Sequence, residues 1–416
     1  MTKLSEVLRE RGYVYQFSSE TLEEITDGPK RTVYLGIDPT ADSMHVGHLS
    51  GLLVLRRFLE DGHKVIILTG GGTGMIGDPG GKSEERNLLD EATISHNAAA
   101  VAVQIKQVFG TNDFIAVNND HWLSKLKLIE FLRDIGKHFT INAMIKRDVV
   151  RNRLDAESPI SFTEFSYSLL QGFDFLHLNE EYSCDVQVGG SDQWSNILSG
   201  VEFIRRKTGR TVYAFTWPLI INKSTGKKFG KSEGGAVWLD VEKTSPFQFY
   251  QFWFNTEDEA VEEYLLKMTL LSKEEIAAIV ADHILDSSRR IGQKALAREV
   301  TALVHGKEVA SVMGAVSEVL FGDATAATLD SDVKDALLKE APNCKIDIGD
   351  NILDVLIKSE LASSKREARE FVEQKAISLN GEKISDVSRS ITNADIHNGF
   401  ALLRRGKQRI SLLTLA

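Results

Sequence analysis

Two histidines, His45 and His48, lie three residues apart where a predicted strand gives way to a predicted helix. That spacing places both imidazoles on one face of the first helical turn, and Gly47 between them lets a ligand approach the backbone. Free N–H groups and the helix dipole at a helix start favour an anion, so the pair indicates phosphate chemistry. The alternative is a pair that only caps and solvates the helix; zinc has little support without an HExxH motif.

Two glycine-rich segments supply basic side chains. Residues 70–86 (GGGTGMIGDPGGKSEER) and 218–235 (PLIINKSTGKKFGKSEGG) each follow a predicted strand, as ligand-binding loops of α/β proteins do. The basic residues of interest are Lys82, Arg86, Lys228 and Lys231. Lysines on such loops are suited to neutralising a leaving pyrophosphate, although a solvated basic loop explains the same composition.

A polar stripe is the third candidate feature. Tyr167, Gln171 and Asp174 recur at spacings of four and three in a predicted helix that is otherwise rich in apolar and aromatic residues. The stripe is either a solvated face or the polar lining of a pocket for an amphipathic ligand. In such a pocket Asp174 and the hydroxyl of Tyr34 could bind a phenol, and Asp78 could bind an ammonium group.

A further glycine turn, GGSDQWSN at 189–196, follows a predicted strand at 184–188. Asp192 in this turn is a candidate for binding ribose hydroxyls, as acidic residues do in nucleotide-binding folds. Gln193 beside it could reach a reacting carboxylate or phosphate.

The predicted elements bring these residues together. A strand at 32–37, a helix from 44 to about 60 and a strand at 63–69 make a β-α-β unit, which predicts a parallel, Rossmann-like sheet. Strands at 184–188 and near 212–215 extend it. Ligands bind at the carboxyl ends of such strands, where the histidine turn and the glycine-rich segments begin.

Helical patterns dominate the rest of the body. Residues 1–30, 88–110 and 123–155 are predicted to be helical, and residues 245–320 to form an all-helical domain. Within 123–155 the apolar residues cover more than one stripe, which indicates either a subunit interface or a deep core.

The tail differs from the body in charge. After a predicted linker at 321–350, residues 351–416 are expected to form two short helices and a hairpin at Asn380-Gly381. They contain 11 Lys/Arg and 8 Asp/Glu, so the tail is +3 in a chain of −10 overall. The basic residues of interest are Lys365, Arg366, Arg369, Arg404, Arg405 and Lys407. This charge indicates a polyanion partner, with a solvated helix face as the alternative.

Length and composition limit the class of protein. A chain of 416 residues is long enough for several domains, and its net charge of −10 confines any nucleic-acid contact to local basic patches. The first residues lack the apolar core of a signal peptide, and no apolar run reaches membrane-spanning length. Cys184 and Cys344 lie far apart, which favours thiols in a reducing cytoplasm over a disulfide scaffold.

Several motifs agree with one family. HVGH at 45–48 resembles the HIGH motif of class I aminoacyl-tRNA synthetases, and KFGKS at 228–232 resembles their KMSKS motif. The stretches YLGIDPTADSMHVGH, GDPGGKSEER, FTEFSYSLLQGFDF and VGGSDQW then resemble the tyrosyl-tRNA synthetases of the bacterial type, over nearly the whole chain. The tail resembles a small RNA-binding domain shared with a ribosomal small-subunit protein and some pseudouridine synthases.

The resemblance implies a fold class and a division into domains. The expected fold is α/β: a Rossmann-like parallel-sheet catalytic domain, then an all-helical domain, then a small α+β RNA-binding domain. Residues 1–220 would form the catalytic domain with a dimer-forming connective insertion. Residues 221–320 would hold the lysine signature loop and a helical anticodon-binding domain, 321–350 the linker, and 351–416 the RNA-binding domain.

The resemblance also implies an activity. Such enzymes are cytoplasmic homodimers without membrane contact that use ATP and Mg²⁺, without zinc, to convert L-tyrosine to tyrosyl-adenylate and pyrophosphate. They then transfer tyrosine to the 3′-terminal adenosine of tRNA(Tyr). No editing domain is expected. In this family phenylalanine leaves the polar groups that bind the phenol hydroxyl unpaired, and that cost is enough to reject it. The departures are Val46 for Ile in the first motif and Phe229-Gly230 for Met-Ser in the second, and Gly51 offers no hydroxyl to a ribose.

By motif match the family roles fall on named residues of this chain. The implied catalytic residues are Thr40, His45, His48, Lys82, Arg86, Lys228 and Lys231. The implied tyrosine-binding residues are Tyr34, Asp78, Tyr167, Gln171, Asp174 and Gln193. The implied ATP-binding residues are Gly36, Asp38, His45, Gly47, His48, Asp192, Lys228 and Lys231. The implied tRNA-binding residues are Lys365, Arg366, Arg369, Arg404, Arg405 and Lys407.

Three other functions remain open at this point. A tryptophanyl-tRNA synthetase is the nearest, but the Tyr34 and Asp174 pair and the tail argue against it. A small-cofactor nucleotidyltransferase could have an HxGH nucleotide site, but it would lack the lysine loop and the tail. A non-catalytic RNA-binding paralogue is disfavoured because no motif residue is missing.

Overall fold

A computed structural model describes residues 2–78, 89–220, 231–232, 235–322, 330–406 and 409–416 of the chain. These residues form two compact units. The first contains Met1–Thr244 and Thr256–Gly292, and the second contains Ser245–Asn255 and Gln293–Ala416. Within the described ranges, no helix combines the length and the apolar character needed to cross a membrane.

The first unit is organised around a six-stranded sheet. Its strands are β1 (Gln16–Phe17), β2 (Thr32–Ile37), β3 (Lys64–Thr69), β4 (Ile115–Asn118), β5 (Val186–Gly190) and β6 (Tyr213–Trp217). Their order is β1-β6-β5-β2-β3-β4, and every neighbouring pair is parallel except β1 with β6. The predicted Rossmann-like sheet is confirmed. From β2 the chain continues to β3 on one side of the sheet, whereas from β5 it continues to β6 on the other side. A crevice therefore opens at the carboxyl ends of β2 and β5.

Helices cover the faces of this sheet. They are α1 (Leu4–Glu10), α2 (Glu23–Thr26), α3 (Val46–Glu60), α4 (Gly71–Gly74), α5 (Glu91–Phe109), α6 (Asp120–Leu123), α7 (Leu128–Asp134), α8 (Ile141–Met144), α9 (Asp148–Asp155), α10 (Phe162–Tyr182) and α11 (Trp194–Thr208). Helix α10 begins with a capping box between Ser161 and Glu164, and Glu164 also forms a buried ion pair of 2.8 Å with Arg153. These contacts fix the start of the helix that contains the polar stripe.

Two predictions for this unit were wrong. Residues 123–155 are not one helix but the short helices α7 to α9 with turns between them, because their apolar residues follow no single stripe. Residues 1–30 include strand β1, and strand β4 was not predicted at all. Strand β4 has only four residues, two of them exposed at the edge of the sheet, so its sequence gives a weaker signal than the six-residue strands β2 and β3.

After β6 the chain forms a hairpin of β7 (Lys231–Ser232) and β8 (Gly235–Ala236), and then helices only as far as residue 321. The helices are α12 (Pro246–Phe254), α13 (Val261–Met268), α14 (Lys273–Leu285), α15 (Ile291–His305) and α16 (Lys307–Phe321). The predicted helical character of 245–320 is therefore confirmed. Helices α13 and α14 belong to the first unit, and α12 and α16 to the second.

The second unit ends in a five-stranded sheet with two further layers of helix. The elements are α17 (Ser331–Glu340), β9 (Asn343–Ile346), α18 (Ile352–Lys358), α19 (Lys365–Glu373), β10 (Ile377–Leu379), β11 (Glu382–Lys383), β12 (Phe400–Arg405) and β13 (Arg409–Leu415). The strand order is β11-β10-β12-β13-β9. The predicted hairpin is confirmed: Asn380 and Gly381 join β10 to β11 with positive φ angles of 50° and 90°.

The predicted linker at 321–350 was wrong for much of its length. It contains helix α17 and strand β9, and β9 pairs in parallel with β13. The polar composition of this segment concealed one apolar stripe, Val333, Leu337 and Ala341, which is buried.

The tail shares its core with the helix before it. Alternate residues of β12 face opposite sides of the sheet: Ala401 and Leu403 pack against α18 and α19, whereas Phe400 and Leu402 pack against α16 and α17. Residues 351–416 therefore contribute to a core that also contains Val316, Val319 and Leu320 of α16. Removal of the tail would expose this face of α16.

Candidate active site

A cavity of about 630 Å³ lies at the carboxyl ends of β2 and β5, where the topology places the crevice. Its wall contains the predicted residues Tyr34, Gly36, Asp38, Thr40, His45, Gly47, His48, Asp78, Tyr167, Gln171, Asp174, Asp192 and Gln193. The fold thus brings together side chains from segments that lie more than 150 positions apart in the sequence.

The basic residues of the two glycine-rich segments cannot be placed in this cavity. Lys82, Arg86 and Lys228 lie outside the described residues, as does Lys407 of the tail. Lys231 belongs to β7, and only its backbone is described.

Asp174 is a buried carboxylate with two side-chain donors. Its Oδ2 accepts a hydrogen bond of 2.9 Å from Asn119 Nδ2, and its Oδ1 accepts one of 2.7 Å from Trp122 Nε1. Burial raises the pKa of Asp174 to about 7, although both hydrogen bonds favour the ionised form. The sequence motifs included neither donor. Both follow β4, so the failure to predict that strand also concealed its role in the site.

Three buried polar atoms of the cavity wall lack a hydrogen-bond partner among the described residues. They are Tyr34 Oη, Gln171 Oε1 and Gln187 Oε1. Tyr34 lies in the middle of β2, directly beside Gln187 of β5. A buried polar atom without a partner is costly, so the cluster indicates that a polar ligand completes it. Gln187 was missed by sequence reasoning because an interior strand residue has no motif around it.

Asp38 is the second carboxylate of the wall. It accepts hydrogen bonds of 2.8 Å from the hydroxyls of Tyr167 and Thr73. Thr73 Oγ1 in turn accepts a bond of 2.9 Å from Asn119, the residue that also binds Asp174. Asn119 is fully buried, so it connects two parts of the cavity wall through fixed hydrogen bonds.

Asp78 is the third carboxylate, and its Oδ2 accepts a hydrogen bond of 2.7 Å from Gln193 Nε2. Together with Asp38 and Asp174 it gives this part of the cavity a negative character, which favours a cationic group. Burial raises the pKa of Tyr167 well above its ordinary value, and the nearby Asp38 and Asp78 raise it further. Its hydroxyl therefore stays protonated and available for hydrogen bonding.

The two histidines form the start of α3. Nδ1 of His45 accepts from the backbone N–H of Gly47, and Nδ1 of His48 accepts from the N–H of His45, each at 3.1 Å. The rings lie 4.0 Å apart. A neutral imidazole that accepts at Nδ1 has its proton on Nε2, so each ring is a potential donor. The pair therefore caps the helix and also lines the cavity, and its predicted role in phosphate chemistry stays a prediction.

His48 differs from an ordinary surface histidine. Its edge is open to the cavity, but the protein packed around the ring lowers its pKa, and the neighbouring His45 lowers it further. His48 is therefore a neutral hydrogen-bond donor near neutral pH rather than a cation.

The chain that leaves the second glycine-rich segment is paired with the histidine turn. The backbone N–H of Val46 donates to the carbonyl oxygen of Val237 at 2.9 Å, and the backbone N–H of Leu239 donates to the carbonyl oxygen of Met44 at 2.8 Å. Trp238 between them contacts the His45 ring edge-on, with ring centroids 6.0 Å apart. The histidine motif and the strand that follows the KFGKS motif are thus neighbours in space.

Gly51 has a packing role in this wall. A Cβ atom at this position would lie 2.5 Å from the ring of Trp217, which also lines the cavity. The indole occupies the space of any side chain here, which explains the absence of a hydroxyl at position 51.

In the part of the chain that the structure describes, no three His, Cys, Asp or Glu side chains form a group suited to holding a metal ion.

The predicted tRNA-binding residues fall into two groups. Lys365, Arg366 and Arg369 are exposed on α19. Arg404 instead donates to the carbonyl oxygens of Val319 and Gly322. Arg405 donates to the carbonyl of Leu361 at 2.6 Å and lies 4.5 Å over the ring of Phe371. Arg404 and Arg405 therefore have partners within the fold.

Comparison with known proteins agrees with this geometry. Residues 26–322 match the model of the class I tRNA synthetases for tryptophan and tyrosine, and residues 332–413 match a tyrosine–tRNA ligase C-terminal domain. The chain is 46% identical over 413 residues to the tyrosine–tRNA ligase of Staphylococcus haemolyticus, and the alignment covers 98% of this chain and 97% of the relative. It is 48% identical over 407 residues to the tyrosine–tRNA ligase of Staphylococcus carnosus, and the alignment covers 96% of each chain.

A solved structure agrees with the fold. The C-terminally truncated mitochondrial tyrosyl-tRNA synthetase of Aspergillus nidulans aligns with a TM-score of 0.70 and 33% identity, over 77% of this chain and 95% of that one. The cavity with its buried carboxylate and the histidines at the helix start agree with what these relatives indicate. The chain belongs to the tyrosine–tRNA ligase family of class I aminoacyl-tRNA synthetases.

Proposed function

We propose that this chain activates L-tyrosine with ATP, releasing pyrophosphate, and then transfers the tyrosyl group to the 3′-terminal adenosine of tRNA(Tyr). The observation that best supports this proposal is the buried Asp174 carboxylate in one cavity with the Tyr34 hydroxyl, which has no partner among the described residues. An acceptor and a hydroxyl enclosed in a cavity are what a phenol needs for recognition.

The phenol would bind between Tyr34 and Asp174. Its hydroxyl would donate to the carboxylate and accept from Tyr34, which would give the Tyr34 hydroxyl a partner that the described residues do not supply. Phenylalanine cannot form either bond: it would leave the Tyr34 hydroxyl buried without a partner and would place an apolar ring edge against the buried Asp174 carboxylate, which is the basis of discrimination.

The ammonium group of tyrosine would bind at Asp78, Tyr167 and Gln171. The hydroxyl of Tyr167 donates to Asp38, so its oxygen remains an acceptor. Gln171 Oε1 lacks a partner among the described residues, and Gln193 holds the Asp78 carboxylate in place. Two acceptors and one carboxylate match the three N–H donors of an ammonium group.

Activation would proceed by in-line attack of the tyrosine carboxylate on the α-phosphorus of ATP. One P–O bond forms, giving a mixed anhydride, and the bond to pyrophosphate breaks, with no covalent enzyme intermediate. The protein supplies position and charge stabilisation. ATP would arrive as its Mg²⁺ complex, which is part of the substrate.

The nucleotide would bind against the histidine turn. Gly36 and Gly47 leave room for close approach to the backbone. Thr40 and His45 would contact the polyphosphate, His48 and Asp192 the ribose, and Asp38 completes the wall between the two substrates. By motif match, the leaving pyrophosphate would be neutralised by Lys82, Arg86, Lys228 and Lys231.

We also propose a homodimer that uses the connective insertion. The short helices α7 and α8 and the start of α10 expose large apolar side chains in a limited stretch of chain. They are Leu128, Ile129, Leu132, Ile141, Ile145 and Phe162, with exposures from 39% to 74%. A concentration of this kind is typical of a protein interface. A cytoplasmic location, without membrane contact, is part of the same proposal.

The tRNA would contact the exposed residues of α19, Lys365, Arg366 and Arg369. Lys407 belongs to the same proposal from the sequence. Arg404 and Arg405 would contribute less than the exposed residues, because their guanidinium groups already bind backbone carbonyls. The helical region before the tail is proposed to bind the anticodon.

Amino-acid-dependent pyrophosphate exchange tests the activity. It is measured with each of the twenty amino acids, with and without tRNA. Exchange with tyrosine alone, and without any need for tRNA, is expected. Exchange with tryptophan would favour the rival synthetase, and an absence of exchange with every amino acid would contradict the proposal. As a matched test of the loop, Lys231→Ala should slow adenylate formation by roughly 10²-fold with little change in tyrosine affinity.

A further inference from the structure

Trp122 is held at two points by one helix. Its Nε1 donates to Asp174 Oδ1 at 2.7 Å, and its ring is stacked on that of His177, with centroids 4.2 Å apart and planes 27° apart. Asp174 and His177 are three residues apart on α10, so both lie on the same face of that helix. Helix α10 therefore supplies both the acceptor for the indole N–H and the surface for the indole face.

The indole needs this second contact because its own helix is short. Trp122 lies on α6, which has only four residues and is too short to be stable by itself. The direction of an indole N–H follows the plane of its ring, and a hydrogen bond weakens steeply when the donor is misaligned. A ring stacked on His177 fixes that plane.

The contact is between two uncharged rings. Burial lowers the pKa of His177, and the neighbouring Glu181 and Glu180 oppose this only in part. The imidazole is thus neutral near neutral pH, and the geometry is that of an aromatic pair.

The carboxylate of Asp174 depends on its two donors for orientation. Asn119 holds Oδ2 and Trp122 holds Oδ1, and both Asp174 and Tyr34 line the cavity. If Trp122 turned, the carboxylate would keep one donor and could rotate about its terminal torsion, which is a soft coordinate.

We propose that His177 is a positioning residue for tyrosine selection: it fixes the plane of Trp122 and, through the indole N–H, the orientation of the Asp174 carboxylate. This inference rests on the proposed role of Asp174 in binding the phenol. His177 touches no substrate, so it acts on selectivity and leaves the chemical step unchanged.

The test uses the full-length protein and pyrophosphate exchange with tyrosine and with phenylalanine. His177→Ala removes the stacked ring, His177→Phe keeps an aromatic face, and Trp122→Phe keeps a ring but removes the N–H donor. The matched control is His121→Ala, which removes an exposed histidine from the same short helix α6.

His177→Ala should lower the ratio of kcat/KM for tyrosine to that for phenylalanine by roughly 3- to 10-fold, the range expected for one aromatic pair. The loss should come from a higher KM for tyrosine, with kcat nearly constant and kcat/KM for phenylalanine unchanged. His177→Phe should restore the ratio to within about twofold of the parent, Trp122→Phe should lower it as His177→Ala does, and His121→Ala should leave it unchanged.

Three results would overturn the inference. The first is an unchanged ratio in His177→Ala. The second is an equal loss of kcat/KM with both amino acids, which would indicate general damage. The third is a failure of His177→Phe to restore the ratio. Asp174→Asn separates this failure from failure of the proposed function. If Asp174→Asn destroys selectivity while His177→Ala does not, only the role of His177 is wrong; if Asp174→Asn also leaves selectivity intact, the phenol assignment itself is wrong.

Discussion

Two regions of the cavity wall differ in the groups that line them: buried polar side chains in one and a helix start in the other. Around Asp174 the polar groups are buried side chains: Asn119 and Trp122 donate to the carboxylate, and Asn119 also donates to Thr73. Around His45 the wall is a helix start, with two imidazoles that cap it and a backbone paired to the chain at 237–239. The first arrangement is suited to recognising a fixed ligand, and the second to stabilising charge that changes during a reaction.

The comparison predicts that substitutions in the two regions change different kinetic quantities. A change at Asp174 should alter the choice between tyrosine and phenylalanine. A change at His45 should alter the rate with both amino acids equally.

The largest effect is expected for Asp174→Asn. A neutral amide is a weaker acceptor for the phenol than a carboxylate, and its NH₂ group cannot accept from either Asn119 or Trp122, so the ratio of kcat/KM for tyrosine to that for phenylalanine should fall by about 10²-fold or more. Pyrophosphate exchange with each amino acid measures it. The same chemical change at Asp192, in Asp192→Asn, should slow both amino acids and leave the ratio intact. A ratio that survives Asp174→Asn would contradict the assignment of Asp174 to the phenol.

The next effect is expected for His45→Ala. If His45 contacts the polyphosphate as proposed, loss of this donor should lower kcat by roughly 10²-fold with both amino acids, while KM for tyrosine stays nearly constant. Because the His45 ring also caps α3, His45→Asn is the control, since asparagine caps a helix well without an imidazole. Recovery of the parent rate in His45→Asn would show that His45 only caps the helix.

A smaller effect is expected from pH. Burial raises the pKa of Asp174 to about 7, so the free carboxylate is mainly ionised above that pH and mainly protonated below it. The phenol needs the ionised acceptor, so tyrosine affinity should weaken roughly tenfold between about pH 8 and about pH 6. Equilibrium binding measures this.

The pH dependence has an internal control. Asp174→Asn removes the titrating group, so its weaker tyrosine affinity should be flat over the same interval. A slope that persists in Asp174→Asn would assign the titration to another group.

An effect of similar size tests the tail, which contrasts with both regions of the cavity because the basic residues of its helix α19 are exposed. The pair Arg366→Glu and Arg369→Glu should weaken tRNA binding by roughly tenfold and reduce the salt dependence of binding, while tyrosine-dependent exchange stays at the parent rate. Lys64→Glu with Lys106→Glu makes the same charge change on exposed residues of the first unit. If this control pair weakens binding equally, the effect comes from net charge.

Charge reversal is a better test of the tail than truncation. Phe400, Leu402, Ile410 and Leu412 pack against α16 and α17, so a chain that ends after Ala341 would lose part of the core of the second unit. A loss of charging in such a truncated chain would then reflect unfolding as well as loss of tRNA contacts.

The sequence predicted most of the cavity because its residues lie where periodicity changes. His45 lies where the turn after β2 gives way to a helix, Asp192 lies two residues after the end of β5, and the polar stripe at Tyr167 to Asp174 interrupts an apolar helix. Changes of this kind are local, so they can be identified without knowing which segments meet in space.

The sequence did not predict what depends on contacts between distant segments. Asn119 and Trp122 follow β4, an edge strand with exposed residues, and nothing near them in the chain indicates that they bind Asp174. The segment 331–346 was predicted as a linker because its apolar residues are few, although those few complete a core with β12 and β13. Tertiary packing, rather than local propensity, decides such segments.

A double-mutant cycle tests most directly whether the two regions of the cavity act separately. Single-turnover activation of tyrosine is measured for the parent chain, Asp174→Asn, His45→Ala and the double variant. If recognition and charge stabilisation are independent, the fold losses in kcat/KM should multiply, as they do for sites without shared partners. A double variant no slower than the more damaged single variant would show that the two regions act as one unit and would contradict the account.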